Sequence, residues 1–265
     1  MVSSADRAKR PARTSVWLES KAPPRGRRAE QPTGLDRDRI TAVTVRMLDA
    51  EGLAGFSMRR LAAEMGVTAM SVYWYVDTKD DLLELALDAV FGEFPVPDRA
   101  EEGADWRARL RELAVGYRRL LVAHPWVPSL IGTYLNIGPN ALAFASTVQR
   151  VIRSTGLPLS RQSAGTSAVF QFVYGVGTIE GNFRKRCADA GMTLDDYYAE
   201  AMGATRQVPE LTELFEEAEK VMAARGGDTV EEMLERDFDY ALELVVAGIE
   251  TMVERTRDTG GAGPR

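Results

Sequence analysis

The stretch FSMRRLAAEMGVTAMSVYWYVDTKDDLL, residues 56–83, decides the fold of this chain. It contains two short apolar patterns of helical spacing, at 58–65 and 69–75, joined by a turn at Gly66. A positioning helix, a tight glycine turn and a second helix form a helix-turn-helix, which presents its second helix to the major groove of DNA. The second pattern ends in three consecutive aromatic residues at 73–75, which is unusual for a short helix and calls for a structural or functional reason.

Capping signals mark four helix starts in this region. In the first three, an apolar staple pair flanks an N-cap side chain, and these N-cap residues are Asp36, Ser57 and Thr68. The fourth start is a capping box of Thr78 and Asp81. Closely spaced starts predict short helices at fixed angles rather than one long helix.

The side chains of the second helix divide into an inner and an outer set. Val72 is expected to face inward, because it pairs with an apolar residue before the helix. The residues that then project outward are Ala69, Met70, Ser71 and Tyr73. Small, hydroxyl and flexible apolar groups of this kind can meet base edges and thymine methyl groups.

The neighbouring polar groups favour contacts with the DNA backbone. The phenols of Tyr73 and Tyr75 can donate to phosphate, whereas Trp74 is expected to point towards the hydrophobic side. Lys79 begins the next helix, whose free N–H groups and dipole attract anions. The alternative is that the three rings are only core, since consecutive side chains on a helix spread around most of its circumference.

Composition limits the other classes of function. The chain has 265 residues, 45% of them hydrophobic, and no run of apolar residues long enough to span a membrane. Its start lacks an apolar signal region, and a single cysteine, Cys187, fits a reducing cytoplasm. With one histidine, His124, it cannot build a His/Cys metal cluster, so neither a metal nor a cofactor is expected.

The charge is unevenly distributed. Residues 1–34 carry eight basic and three acidic side chains, which gives a net charge of +5. Because the whole chain has a net charge of −6, the remaining residues together carry −11. Four prolines in this range predict a disordered arm. The arm is either a solvated tail or a segment that adds phosphate or minor-groove contacts beside a DNA-binding module.

The remainder of the chain reads as helices, and the fold class predicted is all-α. A disordered tail is expected at 258–265, and a loop with a short helix at 184–210. Segments with apolar residues at helical spacing are found at 105–124, 138–156, 161–183 and 229–256.

Residues 40–91 closely resemble the N-terminal domain of TetR-family transcriptional regulators, through the motifs LAAEMGV, SVYWYV and K-x-x-L in register. The segments GPNAL at 138–142 and FDYALELVVAGIE at 238–250 resemble, more weakly, the ligand-binding half of tetracycline repressors. The resemblance implies an N-terminal three-helix DNA-binding domain at 35–80. It also implies a larger helical ligand-binding and dimerisation domain at 81–257.

The resemblance also implies roles for individual residues. Arg59 would lie near bases or phosphates, with the recognition-helix residues, while Trp74 would sit partly against the core. The predicted DNA-binding set is Arg59, Thr68, Ala69, Met70, Ser71, Tyr73, Tyr75 and Lys79. The implied partners are a palindromic double-stranded operator and a small-molecule effector, with no membrane.

The sensing half departs from tetracycline repressors, which use histidines to hold a drug–magnesium chelate. His124 in VAHPW is interpreted as a hydrogen-bonding residue at a helix end, and no metal is implied. Glu180 could contact a ligand, pair with an arginine across a dimer, or face water. The candidate pocket residues, each of which could instead be plain core, are Trp126, Tyr134, Phe144, Phe170, Gln171 and Tyr174.

Two segments are predicted to form a homodimer. The helix at 161–183 contains Gly175, Gly177 and Gly181, which allow close helix approach, and the helix at 229–256 has a long apolar stripe. Enzyme motifs such as a P-loop, G-x-S-x-G or Glu-x-x-His are absent, so catalysis is not expected. A constitutive DNA-binding regulator without a ligand is the remaining alternative.

Overall fold

The computed structural model describes residues 15–18, 35–94, 105–208, 220–221 and 224–260. These residues form helices and no β-strand, so the all-α prediction is confirmed. None of the described helices is long and apolar enough to cross a bilayer. The helices are α1 (Arg37–Gly55), α2 (Met58–Glu64), α3 (Ala69–Tyr73), α4 (Lys79–Gly92), α5 (Trp106–Ala123), α6 (Val127–Leu130), α7 (Pro139–Ser154), α8 (Leu159–Asp189), α9 (Leu194–Arg206) and α10 (Val230–Gly260).

All four predicted helix starts are present. The side chains of Asp36, Ser57 and Thr68 each accept a hydrogen bond from a backbone N–H three residues further on. Thr78 and Asp81 form the reciprocal bonds of a capping box, at 3.0 and 3.1 Å. Local chemistry therefore places the first four helices, as the spacing of these residues predicts.

The chain divides into two compact units. The first contains residues 1–97 and 123–147, and the second contains residues 98–122 and 148–265. The functional boundary predicted between residues 80 and 81 stays a prediction, because packing alone defines these units. The first unit thus includes α1–α4, α6 and the beginning of α7.

The first unit is centred on α4, which packs against α1 and α6. Its side chains from Asp81 to Asp88 are all buried, including three carboxylates. Residues 15–18 form a turn held on the same helix, since the hydroxyl of Ser15 donates to Glu84 at 2.5 Å. The predicted disordered arm therefore needs correction at these four residues, and the rest of 1–34 lies outside the described residues.

The second unit is built from α5, the end of α7, and α8–α10. Its core includes Leu113, Leu121, Val173 and Phe238, which are at most 1% exposed. α8 continues without a break to Asp189, and α9 occupies the predicted short helix. α10 extends to Gly260, beyond the predicted start of the tail at 258, and 261–265 lie outside the described residues.

Candidate nucleic-acid interface

The turn between α2 and α3 is fixed by glycine. Gly66 has φ +68°, a conformation that side-chain-bearing residues rarely adopt, and its N–H donates to the carbonyl of Ala63. The N–H of Val67 donates to the carbonyl of Ala62 at 2.9 Å. With Val72 completely buried, α3 can present only its opposite side to solvent.

That opposite side carries large apolar groups in water. Met70 is 69% exposed and Tyr73 is 42% exposed, which is unusual for side chains of this size on such a short helix. Arg59 and Thr68 are also exposed, and the other predicted DNA-binding residues are half-buried. The exposed set thus matches a surface that contacts bases and backbone, although the contacts themselves stay a prediction.

Trp74 differs from the prediction. We expected it to lie partly against the core, but it is 68% exposed. The cause is the helical step itself: Trp74 keeps αR dihedral angles and lies two residues, about 200°, beyond buried Val72, so it faces away from the core. The exposed side chains of α3 and its C-cap are therefore Met70, Tyr73 and Trp74.

Several polar side chains of the interface already have partners in the protein. The ammonium of Lys79 donates to the carbonyl of Phe56 at 3.1 Å and lies over the Phe56 ring. It keeps further N–H donors for a phosphate. The hydroxyls of Thr68 and Ser71 are 2.9 Å apart, so the N-cap also orders Ser71. Arg59 has no ion-pair partner among the described residues, in contrast to Arg60, which pairs with Glu51.

A stripe of carboxylates on α4 holds three other segments of the first unit. Asp80, Glu84 and Asp88 follow one another at intervals of four, which places them on one face of the helix. Asp80 accepts a hydrogen bond from the phenol of Tyr134 at 3.0 Å, and Glu84 accepts the bond from Ser15. Burial and the Asp80 carboxylate both raise the pKa of Tyr134, so this phenol stays protonated.

Asp88 explains the GPNAL motif. Its carboxylate accepts hydrogen bonds from the backbone N–H of Ala141 at 2.9 Å and from the side-chain amide of Asn140 at 3.1 Å. It therefore caps the N-terminus of α7 from a different helix. A side chain at Gly138 would overlap this carboxylate, so the glycine is required by close approach. The regular spacing of acidic residues on α4 is the sequence signal that could have indicated these contacts, which are not among the predictions made from the sequence.

Two family models match the chain. Residues 40–86 match the model for bacterial regulatory proteins of the tetR family, and residues 97–253 match the tetracyclin repressor-like C-terminal domain. The chain belongs to the TetR family.

Known transcriptional regulators are similar to this TetR-family chain. An HTH-type transcriptional regulator of Saccharopolyspora erythraea is 39% identical over 150 residues, which are 57% of this chain and 63% of that protein. The HTH-type transcriptional repressor DrrR1 of Streptomyces coeruleorubidus is 33% identical over 91% of this chain and 86% of its own.

The fold is also similar to the solved structures of ActR from Streptomyces coelicolor. The apo form gives a TM-score of 0.64 at 25% identity, over 84% of this chain and 98% of ActR. The complex with actinorhodin gives 0.62 at 27% identity, over 82% of this chain and 96% of ActR.

The pocket candidates of this TetR-family regulator fall into two groups. Trp126, Tyr134 and Phe144 belong to the first unit, and Phe170, Gln171 and Tyr174 belong to the second. In the first group, the indole N–H of Trp126 donates to Asp49 at 2.6 Å, and Phe144 packs against Phe91 and Phe94. In the second group, Phe170 lies 5.7 Å from the ring of Tyr117, while Gln171 is exposed. Their role in ligand binding stays a prediction.

Glu180 has partners in its own chain. It is 4% exposed and accepts hydrogen bonds from Arg118 at 2.7 Å and Arg184 at 2.9 Å. The guanidinium of Arg118 also lies 4.6 Å from the ring centre of Phe238. The option that Glu180 faces water is therefore wrong, and both arginines that pair with it belong to the same chain. Sequence alone could not rank these options, because Arg118 lies 62 residues away.

The predicted dimerisation helices carry exposed apolar groups. On α10, Tyr240, Leu244 and Met252 are exposed, and a cleft of about 370 Å³ lies between α8 and α10. The glycines of α8 have different roles, however. A side chain at Gly177 or Gly181 would run into α5 of the same chain, so these two glycines serve internal packing. Open space surrounds the Cβ position of Gly175.

Proposed function

We propose that this regulator is a homodimeric repressor that a small molecule releases from its operator. The observation that carries the DNA-binding half of the proposal is the outer side of the α3 element, where Met70, Tyr73 and Trp74 are exposed while Val72 is buried. Large apolar groups of this kind are costly to leave in water unless a partner covers them. In the major groove, thymine methyls, sugars and phosphates provide that cover.

The relatives support repression and a ligand. DrrR1 carries the name of a transcriptional repressor, and ActR has been crystallised with actinorhodin. For this chain we infer an effector of unidentified structure and binding to chromosomal DNA in the cytoplasm. A constitutive regulator without a ligand is the alternative, and it would show no compound-dependent release.

The apolar surface of α8 and α10 supports the proposed dimer. A second copy would cover Leu244, Met252 and the cleft beside them, and a two-fold axis would relate the two copies. Two recognition helices would then meet successive major grooves about one DNA turn apart, so the operator is expected to be palindromic.

The carboxylate stripe of α4 offers a route from effector to DNA. α4 begins at Lys79, directly after the recognition element, and its other end holds the start of α7 through Asp88. A ligand that displaced Tyr134 or the start of α7 would therefore pull on the helix that carries Lys79. Operator affinity would fall by the difference in the ligand's affinity for the two states.

The test is a fluorescence-polarisation titration of the purified protein with labelled DNA from upstream of its own gene. Salt concentration is varied, and apolar and cationic compounds are added singly. Salt-dependent, sequence-selective binding that one compound abolishes supports the ligand-released repressor. Selective binding that survives every compound in a broad panel favours the constitutive alternative. Failure to bind selectively there or at any genomic fragment would contradict both.

A further inference from the structure

His124 connects two helices of the first unit. It follows α5, is 6% exposed, and is the only histidine in the chain. Its Nδ1 atom lies 2.7 Å from the carboxylate of Asp49 on α1, and its Nε2 atom lies 3.1 Å from Glu93 at the end of α4. One ring therefore bridges the first helix of the DNA-binding element and the helix that follows the recognition turn.

The chemistry of this bridge requires a proton on each ring nitrogen. Ionised Asp49 and Glu93 can only accept hydrogen bonds, and a neutral imidazole has one N–H donor where the imidazolium has two. Burial lowers the pKa of His124, but the hydrogen bonds and charges of Asp49 and Glu93 outweigh burial and raise this pKa above its ordinary value. The charged ring is therefore the form that fits the site.

No other described group competes for this role. Asp49 and Glu93 are the two charged groups that act on the ring within the described part of the chain. Trp126, in the turn after His124, donates its indole N–H to the same Asp49 oxygen at 2.6 Å, but it does not titrate. The described side chains contain no cluster of three or more ligands suited to a metal ion.

We propose that the protonated ring of His124 is a positioning clamp that holds α1 against the end of α4 for operator binding, and that operator affinity falls when the ring loses its proton. The inference rests on the proposed function. DNA-binding helices that are already fixed lose less conformational freedom on binding, so the clamp favours the complex. In the neutral ring, one bridging bond becomes a contact between a lone pair and a carboxylate, and the connection between α1 and the end of α4 is weakened.

The direction of the pH dependence follows from the raised pKa. A group whose folded pKa lies above its unfolded value of about 6.5 contributes fully below that value. The contribution is lost as pH rises through the folded pKa of His124. This contribution is to the stability of the folded state. Because the proposed clamp also favours the DNA complex, operator binding is expected to weaken on the alkaline side, in a window that the ring's own titration defines.

The first test uses the unmodified protein. Because His124 is the only histidine, NMR of the protein with isotope-labelled histidine reports a single ring, and its titration can be followed with and without operator DNA. We expect both nitrogens to be protonated near neutral pH and the pKa to rise further in the DNA complex. Identical pKa values in the two states would overturn the proposal, and this comparison requires no variant.

The second test measures operator affinity from about pH 6 to about pH 9. The wild-type protein should lose about tenfold in affinity for each unit by which DNA raises the pKa of the ring. His124→Gln should be flat across the same window and match the wild type at its alkaline limit. Glu64→Gln, which removes an exposed carboxylate of α2, is the matched control and should keep the wild-type profile.

The results separate the clamp from DNA binding itself. If the wild type binds operator with the same pH profile as His124→Gln, the clamp is refuted while the regulator remains. If the wild type binds no DNA at any pH, the proposed function fails and the clamp loses its role. The NMR titration would then still report the ionisation of the ring.

Discussion

Two neighbouring positions of the recognition element are expected to respond in opposite ways to truncation. Met70 is 69% exposed and Val72 is completely buried, although both lie on a helix of five residues. Met70→Ala should leave stability within about 0.5 kcal/mol of the wild type, because little of the side chain is packed. Val72→Ala should lower the free energy of unfolding by about 2 kcal/mol, since it removes buried methyl groups and leaves a cavity.

The effect on DNA binding follows from the exposed fraction of Met70. Complete burial of a methionine side chain is worth about 1.5–3 kcal/mol, so covering the exposed 69% is worth about 1–2 kcal/mol per half-site. For two half-sites in a dimer, Met70→Ala should weaken operator binding by more than about tenfold.

The assay pairs urea denaturation with fluorescence-polarisation binding to the same operator fragment. Val72→Ala serves as the matched control, because it changes stability without removing an exposed contact. The reasoning would be refuted if Met70→Ala bound operator like the wild type, or if it destabilised the protein as much as Val72→Ala.

Three further predictions concern the second unit. Gly181→Ala should lower the free energy of unfolding by about 1–3 kcal/mol, because the new methyl group would meet the backbone of α5. Gly175→Ala, where the methyl group enters open space, should be neutral or stabilising. Equal shifts of the two variants in thermal denaturation would contradict this assignment. Glu180→Ala should lower the free energy of unfolding by about 3 kcal/mol, because buried Arg118 keeps only the exposed Glu235 as an ion-pair partner, and urea denaturation showing a loss below about 1 kcal/mol would count against it. Leu244→Glu should shift the protein from dimer to monomer in sedimentation equilibrium, and an unchanged dimer would place the interface elsewhere.

The sequence predicted best the features that depend on neighbouring residues. Capping at Asp36, Ser57, Thr68 and Thr78 involves atoms three residues apart, so the motif and the structure coincide. The prediction for Trp74 is wrong, although the local pattern contains the answer. Trp74 lies two helical steps, about 200°, beyond buried Val72, and this spacing turns its side chain away from the core.

Features that depend on distant partners could not be predicted. The burial of Glu180 is made possible by Arg118, which lies 62 residues earlier in the chain, and the local sequence around either residue does not indicate that they pair. The sequence predicts that Gly177 and Gly181 face a second chain, but α5 of the same chain occupies the space beside them. His124 was correctly expected to make hydrogen bonds at a helix end, yet both of its partners lie outside its local sequence.

The stripe on α4 has a consequence for how such a regulator could evolve. Three carboxylates of the 14-residue helix α4 each hold another segment of the first unit. Asp80 holds the loop that contains Tyr134, Glu84 holds the turn at 15–18, and Asp88 holds the start of α7. Because each attachment uses a single carboxylate, one substitution can remove an input without altering the recognition element. Under the proposed function, new effector specificities then arise by changing what is attached to α4, while the set of regulated genes stays the same.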